Sequence, residues 1–171
     1  MGTRATVFRL LDIATQFANV VGSILIVILV VLMAADIAGR NLAGAPVSGV
    51  PELITLSIVA IVFLQAPQAF KEGRIVRTEA AISALTARAP RVAAVVELVF
   101  DLLGFAIISV LVWAHWPILK QSWIGDEYIG SVGSFIAPTW PTKLMLMIGA
   151  VLMALQFIAR IVRRLSGEHV A

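Results

Sequence analysis

Four long stretches without a charged residue constrain this chain more than any other feature of its sequence. Charged side chains are absent from residues 13–35, 53–70, 102–119 and 144–159, which are runs of 23, 18, 18 and 16 residues. A helix needs about 20 apolar residues, with a range of roughly 17–25, to cross the hydrocarbon core of a bilayer. The fourth run is short, but Lys143 and Arg160 at its ends have stems long enough to reach the interface. The sequence therefore predicts four membrane-spanning helices near residues 15–36, 53–70, 98–119 and 143–162.

The composition excludes an ordinary soluble protein. Hydrophobic residues make up 60% of the chain and charged residues 13%, whereas soluble domains have about 45–50% and roughly 25%. The first apolar run does not alternate with polar residues as a barrel strand would, and it is longer than the apolar part of a cleaved signal peptide. We therefore expect an all-α membrane protein without strands, with a retained first span and a single membrane domain over residues 1–171.

Lysine and arginine are distributed unevenly about these spans. With an even number of spans, the N-terminus, the segment between spans 2 and 3 and the C-terminal tail share one side, which holds ten of the thirteen Lys and Arg residues. The positive-inside rule places that side in the cytoplasm. We therefore expect a multi-pass protein of the bacterial inner membrane with both termini cytoplasmic.

The tryptophans agree with this orientation. Trp113, Trp116, Trp123 and Trp140 flank the outer ends of spans 3 and 4, and interfacial tryptophan belongs at headgroup level. We interpret Trp113 and Trp116 as interfacial anchors. The alternative is that this outer face also contacts a protein.

The segment between spans 2 and 3 is predicted to contain an amphipathic interfacial helix near residues 78–89. Glu79 suits its first turn, and Pro90 would end it and begin the long helix that leads into span 3. Arg88 and Arg91 would then act as anchors by facing anionic headgroups. A plain loop is the alternative.

Several charged residues at the span ends are expected to lie near an opposite charge or a helix terminus that stabilises them. Glu97 and Asp101 lie one turn apart on the predicted long helix, where like charges repel by roughly 0.2–0.5 kcal/mol. Their compensation would come either from the arginines between spans 2 and 3 or from a partner protein. Asp36 and Arg40 are spaced to pair if the first helix continues, and Glu52 favours the N-terminus of span 2.

The span interiors contain few side chains that could catalyse a reaction or bind an ion. An enzyme or ion carrier needs ionisable groups at membrane depth, and the one interior candidate, His115, lies near an outer end. Bis-histidine haem ligation is excluded because the second histidine, His169, is in the C-terminal tail. Since the chain also has no cysteine, we expect no catalytic residue, metal site or cofactor, and no nucleic-acid partner.

Other polar and small residues are suited to helix packing. We expect interhelical hydrogen bonds from Gln65, Gln68 and Gln156. Small residues offer close helix contacts at Gly22, Ala35, Gly39, Gly104, Ala150 and Ala154.

Several short motifs occur in an order that resembles the small membrane subunit of tripartite ATP-independent periplasmic (TRAP) transporters. They are Asp36-x-x-Gly39-Arg40 at the end of span 1, Glu52-Leu53 at the start of span 2, Gly-Arg-Ile-Val-Arg-Thr-Glu at residues 73–79, and Pro138-x-Trp140-Pro141 before span 4, with Gly149 and Gln156 inside it. The resemblance covers residues 8–165. Two positions depart from the family, which often has histidine in place of Ile75 and aspartate in place of Glu79.

The resemblance implies a scaffold role. In such systems a large membrane subunit carries the solute, and a periplasmic solute-binding protein delivers an organic anion such as a carboxylate or dicarboxylate. The small subunit braces the large one within the lipid bilayer and helps to dock the binding protein. The candidate contacts with these partners are Asp36, Arg40, Glu52, Glu79, Glu97, Asp101, Trp123 and Trp140. Two alternatives are a free-standing homodimeric exporter and a membrane anchor of a redox enzyme.

Overall fold

The computed structural model describes residues 2–73, 89–131 and 135–166. The described residues form four helices and one β-hairpin, in the order α1 (Gly2–Ala43), α2 (Val50–Lys71), α3 (Pro90–Ile124), β1 (Tyr128–Ser131), β2 (Phe135–Pro138) and α4 (Trp140–Leu165). Each helix is long and apolar enough to cross a membrane, which confirms the prediction of four spanning helices. The predicted interfacial helix, with Glu79 and Arg88, lies outside the described residues.

Two of the helices are much longer than the apolar runs from which they were predicted. At about 1.5 Å per residue, the 42 residues of α1 extend over about 63 Å and the 35 residues of α3 over about 52 Å. Both lengths exceed the roughly 30 Å hydrocarbon core, so each helix continues beyond it. The third helix begins at Pro90 as expected, because proline at the first helical position lacks only an N–H that would have no partner there.

The fourth helix occupies the centre of the arrangement. It packs against each of the other three helices, whereas α3 packs mainly on α4, and α1 packs on α2 and α4. Of the most apolar stretch of each helix, 44% is buried in α4 but only 6% in α3 and 11% in α1. The outer faces of α1 and α3 therefore remain open to lipid or to another protein.

Small residues allow the helices to approach closely. A Cβ atom on Gly149 of α4 would collide with the Phe63 carbonyl oxygen of α2, and one on Gly104 of α3 would collide with the Phe157 ring of α4. A Cβ atom on Gly22 would lie 2.8 Å from Cγ of Gln65. The expected close contacts at Gly22 and Gly104 are thus confirmed, and Gly149 makes the closest backbone approach of the three.

Glutamine side chains join the helices in two of the three predicted places. The Gln156 Nε2 atom of α4 donates a buried hydrogen bond of 3.0 Å to Thr15 Oγ1 of α1. The Gln65 Nε2 atom of α2 donates to Ser23 Oγ of α1 at 3.4 Å. The expectation for Gln68 was wrong, because its amide bonds a carboxylate four residues later in the chain.

The connection between α3 and α4 contains the two strands, so the expectation of no strands was wrong here. The strands pair antiparallel, with Tyr128 opposite Pro138 and Gly130 opposite Ile136. The pairing satisfies the backbone hydrogen-bonding groups that face the neighbouring strand. On the other face of the hairpin, the ring of Phe135 lies against Gly49 in the connection between α1 and α2.

Candidate functional site

Charged and hydrogen-bonding side chains gather at two levels of the helix arrangement. On α4 the levels are marked by Lys143 and Arg160, which are about 26 Å apart along the helix. On α3 they are marked by Ser122 and Asp101, about 32 Å apart. Because the hydrocarbon core is roughly 30 Å thick, the two levels are suited to its two interfaces.

We call the first level the arginine network, and its centre is Asp101 of α3. The Arg164 Nε atom of α4 donates to Asp101 Oδ2 at 2.8 Å, and Arg164 also pairs with Glu97. The Arg160 Nη1 atom lies 3.8 Å from Asp101 Oδ1. The side chain of Asp101 is only 4% exposed and that of Arg160 only 7%, so the carboxylate and this guanidinium are both buried.

Within the described residues, Glu97 and Asp101 are compensated by arginines of the last helix, a source that was not predicted. Arg74, Arg77 and Arg88 of the segment between spans 2 and 3 lie outside the described residues, so their contribution stays a prediction, as does that of a partner. Arg160 and Arg164 are one turn apart on α4, and the two carboxylates are one turn apart on α3. This matched spacing is the signal that would have indicated the contact.

Arg160 extends the arginine network to the end of α2. Its Nη2 atom donates to the Phe70 carbonyl oxygen at 2.8 Å, and its guanidinium lies 3.9 Å from the centroid of the Phe70 ring. The last carbonyl groups of a helix have no partner within the helix and attract cations. The Phe70 ring also packs on Phe157, with the centroids 4.2 Å apart. One arginine of α4 thereby contacts both α2 and α3 and joins the three helices.

The first helix joins this level through weaker pairs. Asp12 lies 3.2 Å from Lys71 Nζ and 4.0 Å from Arg163 Nη2, and the Arg163 guanidinium lies 5.0 Å from the centroid of the Phe8 ring. These side chains are about one-third exposed, and ion pairs at such positions contribute about 0–1 kcal/mol. The attachment of α1 at this level is therefore weaker than that of α2 and α3.

The second level is the lysine network, formed by Ser122, Glu127, Thr139 and Lys143. The buried Ser122 hydroxyl donates to Glu127 Oε2 at 2.6 Å, accepts from Lys143 Nζ at 2.7 Å and lies 2.8 Å from Thr139 Oγ1. Hydrogen bonds from Lys143 and from Ser122 hold the pKa of Glu127 below its ordinary value. The network joins the end of α3 to the beginning of α4.

The predicted charges at the end of α1 and the start of α2 lie at the same end of the helix arrangement as the lysine network. Asp36 and Arg40 form the expected pair at 2.9 Å, and Asp36 Oδ1 also accepts from the Val47 backbone N–H at 2.9 Å. Asp36 is buried, so it orders the connection that follows α1. Glu52 lies half-buried in the first turn of α2.

Aromatic side chains surround the same end of α3. Trp123 and Trp140 are in edge-to-face contact, with ring centroids 4.6 Å apart. Trp113 and Trp116 are largely exposed on α3, as is Arg91 at its other end. Their exposure fits the anchoring role that we predicted for them, which stays a prediction.

His115 lies just inside this level. Its Nε2 atom is 3.1 Å from the Lys143 carbonyl oxygen, so the ring links α3 to the first turn of α4. No group of three or more His, Cys, Asp or Glu side chains comes together within residues 2–73, 89–131 and 135–166.

Comparison with known proteins identifies a family. The family model described as "Tripartite ATP-independent periplasmic transporters, DctQ component" matches residues 29–167. A comparison with curated proteins gives no match. The matched residues include both partners of the central ion pairs, Asp101 with Arg160 and Arg164.

The arginine network is expected to be essential for a stable fold. In Asp101→Asn, the buried Arg160 would lose its carboxylate and the partly buried Arg164 would keep only Glu97, and breaking a buried pair in this way costs about 3–5 kcal/mol. The measurement is SDS-induced unfolding from mild detergent, followed by tryptophan fluorescence. Asp126→Asn is the control, because it removes the same charge at an exposed turn. Equal stability of the two variants would contradict this assignment.

The lysine network is expected to lose stability in acid. Because the folded-state pKa of Glu127 is lowered, its carboxylate stabilises the fold above the ordinary value of 4.5, and this contribution is lost as the pH falls through the lower folded-state pKa. Glu127→Gln lacks the contribution at every pH. The difference in unfolding temperature between wild type and variant should therefore be present at neutral pH and vanish in acid. A difference that does not change with pH would argue against the network.

Proposed function

Since the chain belongs to the DctQ component family of TRAP transporters, we propose that it is the scaffold that braces the large membrane subunit and helps to dock the periplasmic binding protein. Family membership and the four apolar helices make the chain a small multi-pass membrane component of a transporter and not an enzyme. The bracing role rests above all on the arginine network. It joins α2, α3 and α4 through buried contacts and leaves the outer faces of α1 and α3 available.

The distribution of charge favours a supporting role over solute or ion transport by this chain. An ion carrier needs ionisable side chains at membrane depth, whereas the four apolar runs contain only His115, which lies near an outer end. The charged residues that flank these runs meet at the two levels and largely neutralise each other. Transport would therefore take place in the large subunit. This reasoning disfavours the free-standing exporter.

The docking role rests on the surface that we call the outer face, formed by residues 44–49 and the hairpin. Tyr128, Ile136 and Pro138 lie exposed on one side of the hairpin. The opposite side holds Phe135 against Gly49, so the two connections form one continuous surface. Of its exposed side chains, Tyr128 is of a type that is enriched among the residues contributing most to protein interfaces.

The sequence and the family resemblance support a proposed orientation and solute class. The uneven distribution of lysine and arginine favours cytoplasmic termini, and the outer face would then lie in the periplasm, where a binding protein would reach it. The solute would be an organic anion of the carboxylate or dicarboxylate class, as the family resemblance suggests. It would be recognised by the binding protein and the large subunit.

The candidate contact residues other than Glu79, which lies outside the described residues, divide into two groups under this proposal. Asp36, Glu97 and Asp101 are partnered within the chain, so they would act by holding the surfaces in place. Arg40, Glu52, Trp123 and Trp140 lie at the end that carries the outer face and remain candidates for direct contact. Arg40 is more exposed than Asp36, its ion-pair partner.

Purification of the tagged chain from its native membrane tests the scaffold role. Mild detergent followed by mass spectrometry should recover a much larger polytopic membrane protein in a fixed ratio to the chain. Recovery of the chain alone, or only with further copies of itself, would contradict the proposal and favour the exporter. A haem absorption band in the preparation would favour the redox anchor.

The docking role is tested by truncating the outer face. Combined Tyr128→Ala and Ile136→Ala should raise the concentration of binding protein needed for half-maximal uptake by roughly tenfold, because two apolar contacts are lost. Uptake is measured with the reconstituted complex. Leu165→Ala is the matched control, since it truncates an exposed apolar side chain at the opposite end of the molecule. An unchanged requirement for binding protein would exclude docking at this surface.

A further inference from the structure

A strip of polar side chains runs along α1 within the membrane-spanning part of the chain. Gln16, Asn19 and Ser23 are spaced by three and four residues, so they share one face of the helix. Along the helix axis they lie about 6, 10 and 16 Å from Asp12 of the arginine network. Gln65 of α2 lies beside Ser23. We call these four residues the polar strip.

The polar strip is only partly satisfied within the chain. The Ser23 hydroxyl donates to the Asn19 carbonyl oxygen at 3.0 Å and accepts from Gln65 Nε2 at 3.4 Å. Among the described residues, none bonds the side-chain amide of Gln16 or of Asn19. Each of these amides has two donor hydrogens and an acceptor oxygen. Gln16 is exposed and Asn19 is half-buried, so both can reach a group outside the chain.

The surroundings of the strip point to a protein as its occupant. The hydrocarbon core contains no water and lipid tails offer no hydrogen-bonding groups, so polar side chains at this depth normally face other helices. Serine, threonine, asparagine and glutamine commonly bond across helix interfaces in membranes, where small residues allow close approach. A helix that carries such residues at the same depth would satisfy Gln16 and Asn19.

The same face of α1 continues beyond the polar strip as an apolar surface. Val27 and Val30 follow Ser23 on this side and are both more than half exposed. The face from Gln16 to Val30 extends over about 21 Å, which is enough for several turns of a second helix to pack against it. Polar contacts at one end and apolar contacts at the other would align that helix with α1.

We propose that the polar strip is the membrane-embedded docking face for a transmembrane helix of the large subunit. This inference rests on the proposed scaffold function and names the surface by which the chain would hold its partner. The partner helix carries hydrogen-bonding and small side chains at the depth of Gln16 and Asn19. A lipid or a second copy of the chain in this position would be incompatible with the proposal.

Site-specific photo-crosslinking tests the docking face in the intact complex. Because the chain has no cysteine, Asn19→Cys or Phe17→Cys provides a single site for a benzophenone maleimide. Positions 17 and 19 are separated by only about 3 Å along the helix axis, so they lie at nearly the same depth. They are about 200° apart around the helix, so they face different sides. Phe17 is 68% exposed, so a probe at this position can also reach its surroundings. We expect a crosslink to the large subunit from position 19 and not from position 17. Equal crosslinking from both positions, or crosslinking of position 19 only to lipid or to a second copy, would overturn the proposal.

A second pair of variants tests whether hydrogen bonding matters. Asn19→Leu keeps the position apolar enough for insertion but removes the amide, and it should lower the recovery of the large subunit by roughly threefold or more. Phe17→Leu is the control and should leave recovery unchanged. If the wild-type chain recovers no large subunit, the scaffold function and this docking face both fail. If wild type and Asn19→Leu recover it equally, only the docking face fails.

Discussion

The buried contact of Arg160 and Arg164 with Asp101 determines how the other parts of this molecule are arranged. Apolar helices in a membrane gain little from one alignment over another, because lipid tails are as apolar as the helices themselves. A buried arginine between a carboxylate and a helix-terminal carbonyl has few acceptable positions. The contacts of Arg160 with Asp101 and with the Phe70 carbonyl oxygen therefore set the register of three helices at once.

Other interhelical contacts lie along the helices and at the end opposite the arginine network. Gly149 brings the backbones of α2 and α4 together, and the lysine network joins α3 to α4 at the other end. The first helix packs along α2, with Gly22 close to Gln65, and reaches α4 through the buried bond from Gln156 to Thr15 and through partly exposed ion pairs. The helices thus pack in series, α1 on α2, α2 on α4 and α4 on α3, and polar contacts join them at both levels. Such an arrangement suits a component that supports a larger neighbour.

Much of the fold could be predicted from the sequence, because it depends on local spacing. The four spans, the helix start at Pro90 and the pair between Asp36 and Arg40 follow from residues close together in the chain. The arginine network was missed because it depends on which helices are neighbours, and all-apolar spans do not reveal their contact faces. The signal that the sequence does contain is the matched one-turn spacing of the two arginines and the two carboxylates. The hairpin was missed because strands of four residues are too short to show a period. Contacts with partner proteins depend on a second surface and stay predictions.

The separation of the two polar levels has a consequence for the surrounding lipid. Lys143 and Arg160 hold the polar ends of α4 about 26 Å apart, and the networks around them resist sliding of the helices. A bilayer that is thicker or thinner than the apolar part of a helix must deform around it, at a cost of fractions of a kcal/mol per Å. A rigid small component would therefore impose its own hydrophobic thickness on the bilayer near its neighbour. The length of the lipid acyl chains would then enter the energetics of the whole assembly.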